Sequence, residues 1–184
     1  MANHFIKEGN FYVSAIGGDD TNDGSANAPF KTISAGIAAA EAAGSGYSQT
    51  VVIGTGIYNE RIVANNTSDY LCIQGDGNVV IDGTGLTTSL IYQGYKWEYK
   101  DITFINHVAL YAGSSAATGT YTRCTFKNVN RFADGNFNSN AGTDRNVFNN
   151  CKWFNCGNLS FSTYKRYFHF RNCSLFNGHW LWDV

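Results

Sequence analysis

A short motif that recurs four times after residue 100 constrains the fold of this 184-residue chain more than any other feature. The copies read DITFIN (101–106), RCTFKN (123–128), NCKWFN (150–155) and NCSLFN (172–177), and they align without gaps. Their last residues follow one another at intervals of 22, 27 and 22: Asn106, Asn128, Asn155 and Asn177. Repeats of this length that are built from short segments are typical of solenoids, in which each repeat stacks on its neighbours.

The apolar positions of the motif predict strands with one buried face. Large apolar side chains stand two places before each asparagine: Phe104, Phe126, Trp153 and Leu175. Isoleucine or cysteine stands four places before it: Ile102, Cys124, Cys151 and Cys173. An aromatic residue stands seven places before it: Tyr99, Tyr121, Phe148 and Phe170. A spacing of two between apolar slots is that of a strand whose alternate side chains point into a core.

Coils that stack about 4.8 Å apart would place equivalent side chains in ladders. The three cysteines of the motif would then form one buried column beside Ile102, a place that suits free thiols. Asparagines stacked at a turn tolerate unusual backbone angles and hydrogen-bond along the ladder. Weaker copies, YLCIQG (70–75) and TVVIGT (50–55), extend the pattern toward the N-terminus. The sequence therefore predicts an all-β protein, a parallel β-helix of about six coils.

The N-terminal part differs from the repeats and predicts a cap. The stretch GGDDTNDGSANAPFKTI (17–33) could be a metal loop, a cluster of catalytic carboxylates or a turn. Oxygens of Asp20, Asn22 and Asp23 alternate as in a calcium loop, although the later glutamate of an EF-hand is missing. A helix at about 33–43, with Thr32 or Ser34 as N-cap, would cover the open end of the first coil. The expected division is 1–49 for this entry segment and 50–184 for the coils.

Composition excludes several classes of function. The net charge is −1, so no overall basic footprint for nucleic acid or for an anionic membrane surface is expected. No apolar run reaches 18 residues, which predicts no transmembrane helix. The N-terminus lacks the pattern of a secretory signal peptide. Five cysteines, an odd number, argue against a fully paired disulfide framework.

The segments FYVSAIGGDDTNDGSANAPFKTISAGIAAA (11–40) and TVVIGTGIYNERIV (50–63) resemble the pectin lyase-like superfamily of right-handed parallel β-helices. The resemblance implies an entry strand, a capping helix and a first coil entered through a strand that contains Gly56, Tyr58, Glu60 and Ile62. Pectin methylesterases carry a strand similar to YNERI (58–62), but their catalytic motifs are missing here. The match therefore implies the fold and not esterase activity, with Glu60 and Arg61 as a structural pair.

Candidate catalytic residues lie in the loop that lengthens one coil, RFADGNFNSNAGTDR (131–145). Lyases and hydrolases of the superfamily place acids and basic residues along one groove, and this loop offers Asp134, Asp144, Arg131 and Arg145. A solvated turn is the alternative. A second candidate surface consists of outward aromatic residues: Phe154, Phe176, Trp180 and Trp182. These residues could stack on sugars, could be buried between subunits, or could be covered by further chain.

Three functions remain open at this stage. The first is a virion protein similar to a phage tailspike or tail fibre, which binds a surface polysaccharide and by resemblance assembles as a homotrimer or with other virion subunits. The second is a secreted polysaccharide lyase or glycoside hydrolase, and the third is a non-catalytic structural or adhesive solenoid. Each implies a virion or extracellular location. No cofactor is required by any of them, and calcium is the one metal that the sequence suggests.

Overall fold

The computed structural model describes residues 9–43, 49–63, 70–87, 91–92, 96–112, 118–133, 145–157 and 167–178. These residues form one α-helix and a set of β-strands, and every pairing between two named strands is parallel. In chain order the elements are β1 (Gly9–Val13), α1 (Ile33–Ala42), β2 (Gln49–Tyr58), β3 (Ile62–Val63), β4 (Tyr70–Asp82), β5 (Ile91–Tyr92), β6 (Lys96–Ala112), β7 (Thr118–Thr122), β8 (Thr125–Ala133), β9 (Arg145–Asn149), β10 (Lys152–Phe154), β11 (Tyr167–Arg171) and β12 (Ser174–Phe176).

The strands stack in chain order into ladders, which confirms the predicted parallel β-solenoid. A first ladder runs β1, β2, β4, β6, β7, β9 and β11. A second ladder begins with the later parts of β2, β4 and β6 and continues through β8, β10 and β12. A shorter third ladder joins β3 and β5 to the ends of β6 and β8. Parallel strands that pair with the next coil satisfy their backbone groups between coils, so the fold grows by repetition.

Aromatic columns fill the core, as the motif predicted. In the first ladder Tyr99, Tyr121, Phe148 and Phe170 stack with ring centroids 5.0, 4.8 and 5.1 Å apart. In the second ladder Phe104, Phe126 and Trp153 stack at 5.3 and 4.0 Å. Every ring before Phe170 in these columns is buried, and rings of the two columns meet edge to face. Burial of such large apolar surfaces is the main stabilising term of the fold.

The cysteine column is also confirmed. Cys124 and Cys151 are buried, Cys173 is half-buried, and buried Ile102 occupies the same slot one coil earlier. Each thiol donates to a carbonyl of the preceding coil; the Sγ of Cys151, for example, lies 3.4 Å from the oxygen of Tyr121. Burial raises the pKa of the thiols of Cys124 and Cys173, whereas the hydrogen bond with the thiol of Cys124 lowers the pKa of Cys151 between them. Cys124 and Cys151 are buried, so the column packs the core.

The terminal asparagines of the motif adopt left-handed backbone angles, as expected of a turn ladder. Their φ values are +59°, +54°, +50° and +50° for Asn106, Asn128, Asn155 and Asn177. The Nδ2 of Asn128 donates to the Oδ1 of Asn106 at 3.0 Å. A second left-handed line, five positions earlier in each coil, went unrecognised in the sequence because its residue types vary. It consists of Asp101, Arg123, Asn150 and Asn172, with φ of +57°, +54°, +55° and +51°.

The predicted capping helix is confirmed, and carboxylates hold its first turn. Thr32 is the N-cap, and its Oγ1 accepts from the amide of Ala35 at 3.1 Å. Asp20 accepts from the amides of Lys31 and Thr32, both at 2.8 Å. Helix α1 buries Ile33, Gly36, Ile37 and Ala40. A side chain at Gly36 would come within 2.8 Å of Val13 and 3.0 Å of Val51, so the helix lies directly on the first coil.

Candidate functional site

The outward side chains of the first ladder form two columns, which we call the outer polar face. Strand register aligns one column in consecutive coils: Gln74, Lys100, Thr122, Asn149 and Arg171. The second column lies beside it and includes buried Cys72 and apolar Val147: Cys72, Glu98, Thr120, Val147 and His169. In the first column a hydrogen-bonding side chain thus recurs at each step of about 4.8 Å along the solenoid.

Glu98 joins two neighbours into a fixed cluster on this face. Its Oε2 accepts from the hydroxyl of Tyr70 at 2.8 Å and from the Nζ of Lys100 at 2.9 Å. Burial, together with the hydrogen bond to Glu98, raises the pKa of Tyr70 to about 12. The same carboxylate raises the pKa of Lys100. Both Tyr70 and Lys100 therefore keep their protons at neutral pH. The hydroxyl of Tyr70 has donated its one proton to Glu98, so the remaining N–H groups of Lys100 are the donors that the cluster offers a ligand.

An ion pair on the neighbouring turn extends the cluster. Asp101 and Arg123 occupy the second left-handed line in consecutive coils. The Nε and Nη2 of Arg123 each lie 2.6 Å from an oxygen of Asp101, which gives a bidentate contact. This contact raises the pKa of the guanidinium of Arg123. The positive charge of this turn is thus neutralised, and its geometry is fixed by the ladder.

The predicted aromatic surface is only partly described, and its rings stack on one another. Phe154 and Phe176 lie 4.7 Å apart at an interplanar angle of 6°, and Phe176 is 46% exposed. The Nζ of Lys127, one coil earlier, lies 5.8 Å from the centre of the Phe154 ring. Both faces of Phe154 are therefore occupied, and a sugar stacked on this ring would displace one of these neighbours. Trp180 and Trp182 lie outside the described residues.

The predicted catalytic loop lies mainly beyond the described residues. Asp134 and Asp144 are not among them. The backbone of Arg131 belongs to β8 opposite Ala109, and Arg145 begins β9 opposite Tyr167. The catalytic roles of these four residues stay predictions.

The predicted calcium residues form hydrogen bonds within their own loop. Asp20 binds the start of α1, the Nδ2 of Asn22 donates to the carbonyl of Pro29 at 2.9 Å, and Asp23 accepts from the amide of Ser25 at 2.9 Å. Over the described residues no group of three or more histidine, cysteine or acidic side chains could hold a metal ion. Calcium binding here stays a prediction, which a calcium titration followed by thermal melting tests.

Two polar residues, Glu60 and His107, have structural roles. The carboxylate of Glu60, predicted to form a structural pair with Arg61, accepts from the amides of Ile33 and Ser34 at 2.8 and 2.9 Å and so caps α1. Its pairing with Arg61 stays a prediction. His107 is buried, and its Nε2 lies 3.2 Å from the carbonyl oxygen of Ile81. The Glu98 cluster was missed, although the alternation in KWEYK (96–100) would have placed Glu98 and Lys100 on one outward face.

Comparisons with known proteins agree with the fold. Residues 16–108 match a family model described as "Protein of unknown function (DUF1565)". A solved structure titled "Rhamnogalacturonan lyase" is similar over 90% of this chain, with a TM-score of 0.51 and 14% sequence identity. The match spans 62% of that protein's length. No curated protein matches the sequence significantly. In the described part of the chain, no helix has the length and apolar character needed to cross a membrane.

Proposed function

The chain belongs to the DUF1565 family and shares its fold with a rhamnogalacturonan lyase, and on this premise we propose that it binds a polysaccharide along the outer polar face. The observation that carries the proposal is the column Gln74, Lys100, Thr122, Asn149 and Arg171. An amide, a hydroxyl or a cation stands at each successive coil. Such a regular line of donors and acceptors suits a linear ligand with repeated hydroxyl groups.

Binding fits this face better than proton abstraction does. A lyase or hydrolase needs a group that takes up a proton at the working pH. Burial and the Glu98 carboxylate raise the pKa of Tyr70, and the hydrogen bond to Glu98 raises the pKa of Lys100, so both groups hold their protons. One oxygen of Glu98 accepts from both groups. The cluster can therefore orient a sugar, and neither Tyr70 nor Lys100 supplies the base.

A matched pair of variants tests the proposal. Thr122 faces outward in the first ladder, and Thr103 faces outward in the second ladder one coil earlier. If the outer polar face binds glycans, Thr122→Ala combined with Asn149→Ala should weaken binding roughly thirtyfold, because each lost hydrogen bond contributes about 1 kcal/mol. Thr103→Ala should leave the affinity unchanged. Glycan-array screening followed by calorimetry measures both, and equal affinities for all variants would contradict the proposal.

Catalysis by the 131–145 loop would be a more specific function than glycan binding, and it stays a prediction. Incubation with uronic-acid and neutral glycans, followed by ultraviolet absorbance of unsaturated products and by reducing-end assays, detects turnover. Asp134→Asn and Asp144→Asn should abolish any turnover. Activity that survives both substitutions would remove the loop as the catalytic site.

A role as a virion tailspike or tail fibre is likewise a narrower form of the proposal. It predicts a homotrimer in which Phe154, Phe176 and Trp182 lie at subunit contacts. Size-exclusion chromatography with light scattering measures the mass directly. A monomer at micromolar concentration would count against the tailspike role and would leave glycan binding intact.

A further inference from the structure

The near-zero net charge hides an uneven distribution of charge along the chain. Residues 118–184 contain eight of the 13 lysine and arginine residues but only three of the 14 acidic residues. Between Asp144 and Asp183 there is no acidic residue at all. Because the coils of a solenoid stack in chain order, this asymmetry in sequence becomes a separation of charge along the molecule. The N-terminal coils are acidic and the C-terminal coils are basic.

Two cations in the earlier coils are neutralised by neighbouring carboxylates. Lys100 pairs with Glu98 at 2.9 Å, and Arg123 pairs with Asp101 at 2.6 Å. Within the described ranges, these two contacts are the salt bridges that the chain forms. A ligand that binds these coils therefore meets hydrogen-bonding groups with little net positive potential.

Later coils present two cations around one turn, which we call the basic corner. Its residues are Lys152, Arg171, Asn150 and Asn172, and all four are exposed. Arg171 is the last residue of β11 and lies directly before the left-handed Asn172. Lys152 begins β10, two residues after left-handed Asn150, and pairs in register with Ser174 of the next coil. Neither Lys152 nor Arg171 forms a salt bridge with another described residue.

We infer that the bound polysaccharide is anionic and that the basic corner holds its acidic groups. This inference rests on the proposed function, because Arg171 also ends the outer polar column. Two cations in consecutive coils flank amides whose backbone is locked by the ladder, so charge and hydrogen-bond donors are presented together. Anionic groups would be attracted to the C-terminal coils and repelled by the acidic N-terminal ones. The ligand is thereby directed to one end of the solenoid.

A polysaccharide fits the corner better than a nucleic acid does. Proteins that bind single strands combine cations with aromatic faces on which bases stack. The corner is lined by asparagine amides. Of the two described rings nearby, Phe154 has both faces occupied and Phe176 has one face against Phe154. Amides match hydroxyl groups and carboxylate or sulfate oxygens, which are the groups that an acidic glycan offers.

The test uses the full chain with four probes: a polyuronate, a sulfated glycan, a neutral glucan and a single-stranded oligonucleotide. We expect binding to both acidic glycans, with affinity that falls as salt is raised. Lys152→Gln and Arg171→Gln should each weaken binding about threefold, and the double variant about tenfold. The control Lys31→Gln removes an exposed charge near the opposite end and should change nothing. Lys152→Arg with Arg171→Lys should retain affinity, and thermal melting should show that all variants are folded.

Four results would overturn the inference, and they differ in which of the other conclusions survive. If the neutral glucan binds as tightly as the acidic glycans and without salt dependence, the charge selectivity is wrong while glycan binding survives. If no glycan binds, the proposed function fails as well. If the oligonucleotide binds more tightly than either acidic glycan, the basic corner recognises nucleic acid instead. Retained affinity in the folded Lys152→Gln, Arg171→Gln double variant also contradicts the assignment of the corner.

Discussion

Glu60 joins the capping helix to the first coil, and its removal should destabilise the whole solenoid. The carboxylate accepts three hydrogen bonds: from the amide of Ile33 at 2.8 Å, from the amide of Ser34 at 2.9 Å and from the hydroxyl of Ser34 at 2.6 Å. Ile33 is fully buried, so water cannot readily replace its lost partner. Hydrogen bonds to a charged group contribute about 1.5 kcal/mol or more each, and a carboxylate at a helix N-terminus adds about 0.5 kcal/mol.

From these contacts we expect Glu60→Ala to lower the free energy of unfolding by about 3 kcal/mol. The loss is smaller than the sum of the contacts because water can partly replace the carboxylate as partner of the Ser34 groups. Glu60→Gln keeps one acceptor oxygen and should lose about 1 kcal/mol. In a chain of this size 3 kcal/mol corresponds to a fall of roughly 6–12 °C in Tm. Urea titration and thermal melting measure both quantities. Asp76→Asn, a change at an exposed residue, is the control.

The reasoning fails if Glu60→Ala melts at the same temperature as the Asp76→Asn control. It also fails if Glu60→Gln is as destabilising as Glu60→Ala, because the retained amide oxygen would then make no contribution. A loss of binding with unchanged melting would instead assign Glu60 to a ligand site. That outcome would contradict the capping geometry.

Three further predictions concern the core and the ladders. Burial lowers the pKa of His107 below its unfolded value of about 6.5. Its neutral form therefore stabilises the fold fully above that value, and this stabilisation is lost as pH falls through the folded pKa. The urea midpoint should fall between pH 7 and pH 5, and a His107→Asn variant should show a smaller fall. Asn128→Ala should lower the free energy of unfolding by about 2 kcal/mol, because alanine is strained in the left-handed region and the hydrogen bond to Asn106 is lost. Asn128→Gly should lower it by less, because glycine adopts this backbone conformation freely. Equal losses for the two variants in denaturant titrations would refute the strain argument. Phe126→Ala opens a cavity at the centre of a buried aromatic stack and should lower the free energy of unfolding by about 4 kcal/mol. A loss under about 1 kcal/mol in the same titrations would mean that the neighbouring rings close the cavity.

The role of the aspartate-rich loop (17–33) could not be decided from the sequence. Its composition allowed a metal site, a catalytic cluster or a turn. The structure uses Asp20 to bind the amides of Lys31 and Thr32, eleven and twelve residues away, which ties the loop to the start of α1. Asp19 and Asp23 bind amides two residues further along the chain. Local spacing predicts the second kind of contact, but the first depends on how the chain folds back.

Most of the fold followed from periodicity. The apolar slots at Phe104, Phe126 and Trp153 predicted buried strands, and the cysteines at 124 and 151 predicted a packed column. These features are repetitive and local, so they are readable in one dimension. The second left-handed line was not predicted, because Asp101 and Arg123 occupy slots that asparagine fills in later coils. Only the ladder, which pairs the carboxylate with the guanidinium across coils, shows why arginine is accommodated there.

By itself the sequence determined that coils stack, which side chains face the core and that a helix precedes the first coil. It could do so because the period of two within strands and of 20–30 residues between coils is imposed by backbone geometry. Only the tertiary structure decided which polar residues meet. Tyr70 and Glu98 are 28 positions apart, and Glu60 and Ile33 are 27 apart. Contacts at such separations depend on register between coils, and a change of one residue in register would send each side chain to the opposite face.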